Sequence, residues 1–342
     1  MISKIIDESK IQQAKKAINK HDKIVIMTHQ SPDGDAIGSS LAMYHFLLEL
    51  EKDVQIIVPD AFPDFLGWLK GSGDILVYEK YPQYAQEAID AADLILCMDF
   101  NSHHRVGEAL GQLLQKSEAM KILIDHHLDP SSEFDVSISY PSMCATGEVV
   151  FRLICRMGHF EDINRDCAEA IYTAMMTDTG RFSYNSDSPE IYYIIAELIK
   201  KGINKDEIVQ RVYQNESVDR IRLRGFVLYE KMQVFPELQS ACITLTEEEQ
   251  QRFDTKKGDT EGLVNIPLDI KGINCSAFFK EDKQSNKIKV SLRSIGNIAV
   301  NQLSQQYFNG GGHKNAAGGS WFGTMEEAVA LYKRVVADFI NK

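Results

Sequence analysis

The sequence has 342 residues, 44% of them hydrophobic and 25% charged, which is typical of a globular protein long enough for two domains. The formal net charge of -12 argues against a protein that tracks long nucleic acid, because that binding needs a basic surface for the phosphates. The six cysteines form no Cys-x-x-Cys pair, so neither a zinc ribbon nor a disulfide framework is indicated.

The sequence also lacks the features of a membrane or secreted protein. No apolar run approaches the ~20 residues needed to span a bilayer. The N-terminal residues lack the basic-then-apolar order of a signal peptide. We therefore expect a cytoplasmic protein without a membrane partner.

The first informative stretch follows a predicted lead-in helix at 11–22. The apolar run 24–27 predicts a strand buried on both faces. A polar turn with His29, Asp33 and Asp35 comes next, and residues with helical spacing follow it directly. In an open parallel sheet, ligands bind beyond the carboxyl ends of the strands, where a helix N-terminus favours anions. A solvated turn with a capping aspartate is the simpler alternative for one such motif.

The same arrangement recurs along the first half of the chain. Apolar runs end at Asp99, at Asp125 with His126 and His127, and at Asp178. Further strands are predicted at 54–58, 75–78 and 134–139, the last at a sheet edge, and helices near 105–114, 147–157, 165–177 and 189–201. This alternation predicts an α/β fold with a doubly wound parallel sheet.

The second half of the chain differs in character. We expect a first domain at 1–190, a helical connector at 191–230 and a second, smaller α/β domain at 231–342. The predicted elements of the second domain are strands at 231–235, 240–246, 274–279 and 287–293, and helices at 298–308 and 325–340. Between those helices lies the glycine-rich segment Gly310-Gly-Gly-His313, which we interpret as a loop.

This glycine-rich loop has a physical case for binding an anion. Gly310, Gly311 and Gly312 have no Cβ, so their backbone N–H groups are free to turn inward around an anion. His313 would add a hydrogen bond. A simple linker between a helix and a strand is the alternative.

Six side chains in the first half are candidate metal ligands, which is too many for one ion. They are His29, Asp33, Asp35, Asp99, His126 and Asp178. Carboxylates with a minority of imidazoles suit manganese or magnesium better than zinc. Two such ions clamp a phosphoryl group and lower the pKa of a bound water. The pattern therefore favours a two-metal phosphoester hydrolase.

With these motifs together, the chain resembles the DHH phosphoesterases, which are named for the motif present here as Asp125-His126-His127. The other matching segments, in the family's order, are His29-x-x-x-Asp33-x-Asp35, Asp99, Thr177-Asp178-Thr179-Gly180 and Gly310-Gly-Gly-His313. The resemblance covers nearly the whole chain. It implies an active site in a cleft between the two domains.

The resemblance also implies a role for each candidate ligand. His29 and Asp33 would hold one manganese ion, His126, Asp35 and Asp178 would hold the other, and Asp99 would bridge them. Asp125 would orient His126 from behind, and His127 would face the substrate phosphate.

The second domain resembles the DHH-associated domain, which implies substrate binding. Arg293 corresponds to its phosphate-binding arginine, and Gly310, Gly311, Gly312 and His313 would grip the nucleotide end. Asn101 and Arg105 would either contact the substrate or support their loop. We expect the neighbouring His103 and His104 to be solvated loop residues.

Within the family, the chain looks like the nanoRNase/pAp-phosphatase group. The glycine-rich domain argues against a pyrophosphatase, and the chain has no residues left for the OB-fold that RecJ adds. We expect hydrolysis of RNA of 2–5 nucleotides, with activity on pAp and pApA, and a possible homodimer. The alternatives are a RecJ-like single-strand DNA exonuclease and a non-catalytic nucleotide-binding regulator.

Overall fold

A computed structural model describes residues 4–214, 216–256, 258–283 and 285–340. The chain divides into two compact units, Met1–Asn215 and Glu216–Lys342. Each unit contains its own six-stranded sheet with helices, and the first sheet is parallel throughout. The predicted fold class is therefore confirmed. The domain boundaries remain predictions, and Asn215 of the expected connector lies outside the described residues.

The sheet of the first unit has the order β3-β2-β1-β4-β5-β6. Its strands are β1 Lys23–Thr28, β2 Asp53–Val58, β3 Leu76–Val77, β4 Leu94–Met98, β5 Met120–Asp125 and β6 Val136–Ser139. The direction of winding reverses between β1 and β4, so the crevice beyond these two strands is the expected ligand site of the fold. The strand near 134–139 lies at the edge, as predicted.

Helices cover both faces of this sheet. They are α1 Glu8–Lys20, α2 Gly34–Glu49, α3 Pro82–Ala91, α4 Glu108–Lys116, α5 Thr146–Met157, α6 Arg165–Asp178, α7 Pro189–Lys200 and α8 Lys205–Tyr213. In β1, Ile24 and Ile26 belong to one hydrophobic cluster, whereas Val25 and Met27 belong to another. Since both faces are buried, the strand is continuously apolar.

Helix α3 is absent from the prediction. Its buried residues are Ala85 and Ile89, which lie one turn apart. Two small or medium apolar residues give too narrow a stripe for periodicity to indicate a helix.

Helix α2 approaches α6 unusually closely. A Cβ added to Gly38 would lie 2.7 Å from the carbonyl oxygen of Ala170 and 2.8 Å from the backbone nitrogen of Ala174. A Cβ added to Gly34 would lie 2.3 Å from the hydroxyl oxygen of Thr177. These two glycines therefore allow α2 to lie closely against α6, with Gly34 beside the last turn of α6.

The sheet of the second unit has the order β11-β12-β10-β9-β8-β7, and only the β8–β9 pair is parallel. Its elements are α9 Val218–Phe226, a π-helix Val227–Lys231, β7 Met232–Phe235, β8 Ser240–Leu245, α10 Glu247–Arg252, a 3-10 helix Leu263–Asp269, β9 Cys275–Asp282, β10 Lys287–Ser294, α11 Val300–Tyr307, β11 Gly311–His313, β12 Ala316–Trp321 and α12 Met325–Ile340. Residues of α11 and α12 pack on one face, in a cluster with Leu292 and Ala317.

The glycine-rich segment is a β-hairpin rather than the predicted loop. Strand β11 pairs with β12 from Gly311↔Gly318 to His313↔Ala316. A Cβ on Gly310 would lie 1.9 Å from the carbonyl oxygen of Gly318, and Gly312 has φ +135°. Glycine is therefore required here by packing and backbone conformation, whether or not the segment binds an anion.

No helix among the described residues is long and apolar enough to cross a membrane.

We predict opposite effects of alanine at two helical glycines. Gly38→Ala should lower the free energy of unfolding by about 1–3 kcal/mol, because the new methyl group overpacks the contact between α2 and α6. Gly225→Ala, in α9 with nothing within 4 Å of the added Cβ, should raise it by up to about 1 kcal/mol. Urea unfolding measures both values. Equal effects of the two substitutions would contradict the close-packing argument.

Candidate metal centre

The candidate ligands lie where strands of the first sheet end. His29 follows β1, Asp99 follows β4, and Asp125 is the last residue of β5, with His126 and His127 next. Asp99 has φ +62°, a left-handed conformation that non-glycine residues adopt at special sites. The parallel sheet thus brings three separate parts of the chain to one edge.

The other three candidates lie at helix ends. Asp33 is the N-cap of α2, and its Oδ1 accepts hydrogen bonds from the backbone of Asp35 at 3.0 Å and of Ala36 at 3.1 Å. Asp35 lies in the first turn of the same helix. Asp178 is the last residue of α6, and the close approach of α2 to α6 brings it to the cluster.

Ligand atoms of all six candidates form two groups. Within each group, the atoms lie within 4.8 Å of one another. The groups are His29 with Asp33 and Asp99, and His126 with Asp35 and Asp178. A third grouping combines Asp99 with His126 and His127.

Asp99 faces both principal groups through different oxygens. Its Oδ2 lies 3.4 Å from Nε2 of His29, and its Oδ1 lies 3.8 Å from Nε2 of His126. Nε2 of His126 also lies 3.7 Å from Oδ2 of Asp35 and 3.5 Å from Oδ2 of Asp178. One carboxylate therefore lies between two sets of donors.

The carboxylates are crowded and buried, which shifts their pKa values in different directions. Burial, together with the charges of Asp99, Asp178 and Asp33, raises the pKa of Asp35 well above its usual value. Burial and the charges of Asp33 and Asp99 raise the pKa of Asp178 to about 7, although His126 opposes this. Ionising these carboxylates in the folded protein therefore costs electrostatic free energy.

The histidines partly compensate for this charge. Burial raises the pKa of Asp99, but the hydrogen bond with His29 and the charges of His127, His29 and His126 outweigh it, so the net shift is downward. Burial lowers the pKa of His29, but its hydrogen bond to Asp99 and the charges of Asp33 and Asp99 raise it to about 9.

This donor set fits divalent cations. Carboxylate oxygens with imidazole nitrogens are ligands that manganese accepts, and a cation would neutralise the repulsion that raises the pKa of Asp35 and Asp178. The two groups supply enough donors for two ions that share Asp99.

The start of α5 also serves the cluster, which the sequence analysis missed. The backbone N–H groups of Thr146 and Gly147 donate to Oδ2 and Oδ1 of Asp35 at 2.7 and 2.9 Å. The Thr146 hydroxyl donates to Oδ1 of Asp99 at 2.8 Å. The only sequence signal was a run of small residues before the predicted helix at 147–157.

The expected partner of Asp125 was wrong. Asp125 contacts His127, with 2.7 Å between its Oδ1 and the Nδ1 of that ring. His126 instead places its Nδ1 3.2 Å from the carbonyl oxygen of Met143. Burial lowers the pKa of His127, but the hydrogen bond to Asp125 and the charge of Asp99 outweigh it, so the pKa is raised.

The loop after β4 is held by hydrogen bonds to neighbouring segments of the chain. The Asn101 side-chain amide donates to the carbonyl of Leu128 at 2.7 Å, and the Arg105 carbonyl accepts from the Gln30 backbone at 2.7 Å. The Asn101 bond agrees with the scaffolding alternative, whereas the Arg105 bond involves only its backbone and leaves the role of its side chain a prediction. His104 is exposed, but the expectation of a solvated His103 was wrong, because that residue is buried with its Nδ1 3.1 Å from Oε2 of Glu133.

The second unit brings Arg293 and His313 into one row of its sheet. Ala316 on β12 lies opposite Arg293 of β10 on one side and opposite His313 of β11 on the other. Residues directly opposite one another share a sheet face, and two strand spacings separate Arg293 from His313 by about 10 Å. Because Leu292 and Ala317 point toward α11 and α12, this row lies on the opposite face.

Two family models match the chain in the order that these sites suggest. The DHH family N-terminal domain matches residues 23–175, and the DHHA1 domain matches residues 238–342. The chain belongs to the DHH family of phosphoesterases.

Several known proteins are similar to this chain over nearly its whole length. A crystal structure of an exopolyphosphatase-related protein from Bacteroides fragilis is 51% identical, covers 99% of this chain and 98% of that one, and has a TM-score of 0.95. Two curated relatives are named bifunctional oligoribonuclease and PAP phosphatase NrnA. The Thermus thermophilus protein is 29% identical over 92% of this chain and 88% of its own length. The Bacillus subtilis protein is 26% identical over 94% and 95%.

We predict that Asp178→Asn stabilises the metal-free protein and reduces the stabilisation that metal provides. At pH 8, above the raised pKa of Asp178, removing its charge should raise the melting temperature of the EDTA-treated protein. The increase in the free energy of unfolding on adding Mn²⁺, about 2.7 kcal/mol per ion at 100 times the Kd, should be smaller than in wild type. Thermal unfolding with EDTA and with Mn²⁺ measures both. Asp166→Asn, at the other end of α6, is the control and should keep the full metal-dependent gain.

Proposed function

We propose that this DHH phosphoesterase hydrolyses RNA of 2–5 nucleotides to mononucleotides and also acts on pAp and pApA, using two manganese ions. The observation that carries this proposal is the position of Asp99 between two groups of metal-ligand type. The names of the relatives from T. thermophilus and B. subtilis support the substrate class. Magnesium is the alternative metal.

The ligand set follows the two groups. We assign His29 and Asp33 to one ion, His126, Asp35 and Asp178 to the other, and Asp99 to both. When bound, the ions would polarise the phosphoryl oxygens and supply a nucleophilic water at neutral pH.

The remaining residues of this site act on the substrate directly or through a neighbour. We assign His127 to the substrate phosphate, because its hydrogen bond to Asp125 fixes the ring and its raised pKa favours the charged form. A charged imidazole stabilises the negative charge that accumulates on phosphorus oxygens in the transition state. Asp125 thus acts by orienting His127.

We assign substrate binding in the second domain, residues 231–342, to Arg293 and to Gly310, Gly311, Gly312 and His313. The residue between Arg293 and His313 in this row is Ala316, whose small side chain places little bulk between the two groups. Two basic groups about 10 Å apart suit a short substrate better than a long strand. Asn101 and Arg105 remain candidates for additional contacts with the substrate.

The same proposal includes the size of the substrates, the location of the enzyme and its oligomeric state. The net charge of -12 disfavours binding along long nucleic acid, so short RNA and small nucleotides are the proposed partners. A cytoplasmic homodimer is the form we expect.

A substrate panel with purified protein tests the proposal. With Mn²⁺, a dinucleotide, a five-nucleotide RNA and pAp should be hydrolysed faster than a long single-stranded DNA. Faster degradation of the long DNA would instead indicate a RecJ-like exonuclease, and binding without turnover would indicate a regulator. Inorganic polyphosphate belongs in the panel because of the B. fragilis protein's description, and a preference for it would overturn the proposed substrate class.

Asp99→Asn should remove activity and disturb both metal positions. We expect hydrolysis of pAp to fall on the order of a thousandfold, about 4 kcal/mol of activation free energy. Titration calorimetry with Mn²⁺ should show both binding events weakened. Asp33→Asn is the matched control, because that residue belongs to one group only, and it should weaken a single event. Full activity of Asp99→Asn would refute the bridging role.

Arg293→Ala should weaken substrate binding without affecting the metals. Loss of a charge-assisted hydrogen bond, about 1.5–3 kcal/mol, should lower kcat/KM for a dinucleotide by roughly 10–100-fold, mainly through KM. Manganese binding should be unchanged. Lys289→Ala, four residues away on the same strand face, is the control and should have little effect. Equal losses in both variants would show only a general charge effect.

A further inference from the structure

The peptide group between Met143 and Cys144 connects a metal-ligand candidate to a buried ion pair. Its carbonyl oxygen lies 3.2 Å from Nδ1 of His126. Its N–H group donates to Oε2 of Glu148 at 2.9 Å. Met143, Cys144 and Glu148 are all buried. One rigid peptide plane therefore joins the Glu148 carboxylate to the His126 ring.

This contact determines which nitrogen of His126 is available. A carbonyl oxygen only accepts hydrogen bonds, so Nδ1 is the nitrogen that carries the proton. In the neutral ring this leaves Nε2 as the nitrogen available to a metal, and Nε2 lies within 3.8 Å of the carboxylates of Asp35, Asp99 and Asp178. Imidazole binds a metal through its unprotonated nitrogen. The contact with the Met143 carbonyl therefore orients the His126 ring so that Nε2 is the nitrogen offered to a metal.

Glu148 is itself held firmly. Its Oε1 accepts hydrogen bonds from Nε and Nη2 of Arg152 at 2.8 and 2.6 Å, one turn along α5. Nη2 of Arg152 also lies 2.6 Å from Oε2 of Glu190 on α7. Oε2 of Glu148 is thus directed at the Cys144 N–H while the other oxygen is fixed by the arginine. The buried charges are paired, as burial requires.

We propose that Glu148 is a positioning residue for His126, acting through the Met143–Cys144 peptide group. It lies in the first turn of α5 beside Thr146 and Gly147, which bind Asp35, so one helical turn orients ligands of the same group. The inference rests on the proposed metal site. Mutating a residue that hydrogen-bonds to a metal ligand typically lowers metal affinity by about 10–100-fold.

Two double variants separate the hydrogen bond from the ion pair. Glu148→Met/Arg152→Met removes both charges with side chains of similar length, and leaves the Cys144 N–H without an acceptor. Glu148→Gln/Arg152→Met removes the same ion pair but keeps a side-chain oxygen for that N–H. The two proteins therefore differ mainly in the acceptor. Replacing a buried ion pair by apolar side chains is often tolerated, and circular dichroism checks folding.

Manganese binding is measured by titration calorimetry, and the His126 tautomer by ¹⁵N NMR of the metal-free protein. In the Met/Met variant we expect one of two binding events to weaken by about tenfold or more, with loss of the Nδ1–H tautomer. The Gln/Met variant should retain the tautomer and bind both ions with affinities within about threefold of wild type. That change is smaller than the roughly tenfold loss expected of the Met/Met variant. Glu169→Gln, which breaks an Arg–Glu pair of the same spacing but greater exposure in α6, should bind as wild type.

Equal binding by both double variants, whether normal or weakened, would overturn the role of the hydrogen bond. If the Met/Met variant does not unfold cooperatively, Glu148→Asp replaces it, because it withdraws the carboxylate by one methylene and keeps the charge. Unchanged affinity and tautomer in Glu148→Asp would also overturn the inference. Wild-type protein that binds fewer than two ions would instead refute the proposed two-metal site.

Discussion

The candidate metal centre depends on one steric condition, the near contact of helix α2 with the backbone of α6. Gly38 satisfies it, because any side chain at that position would overlap the backbone around Ala174. The contact matters beyond packing, since Asp35 starts one helix and Asp178 ends the other. A shift of the helices by the width of a methyl group would separate these two carboxylates. The metal chemistry is therefore linked to the absence of a side chain one turn away.

Bringing these carboxylates together costs stability, and the protein offsets only part of that cost. Both oxygens of Asp35 accept backbone N–H groups from the start of α5, and helix N-termini favour negative charge. These donors carry only partial charge, so the pKa of Asp35 remains raised. A site with more negative charge than its own donors neutralise is most stable with cations bound, which couples metal binding to folding.

Much of this arrangement was predictable, because its signals are local. A continuous apolar run followed by His29 or Asp99 indicates a buried parallel strand and the edge where ligands gather. The resemblance to the DHH phosphoesterases then implied how the six candidate ligands divide between two ions. The sequence could not reveal that Asp125 contacts His127, because neighbouring residues after a strand diverge according to loop geometry. Likewise, Thr146 and Glu148 contact the cluster or its supporting peptide only through the tertiary placement of α5, which periodicity does not report.

The glycine-rich segment shows why a motif and its structural cause need separate arguments. Gly310 and Gly312 are required by close approach and backbone conformation in the β11–β12 hairpin, so their presence alone does not establish an anion site. The register gives independent support, because it places His313 and Arg293 on either side of Ala316 on one sheet face. Basic groups this close together would attract a phosphate even though the net charge is -12. Salt screens the repulsion from acidic residues that lie farther away than about 10 Å. Under the proposed function, the overall charge would therefore restrict the length of the nucleic acid, and the row of Arg293 and His313 would bind a short one.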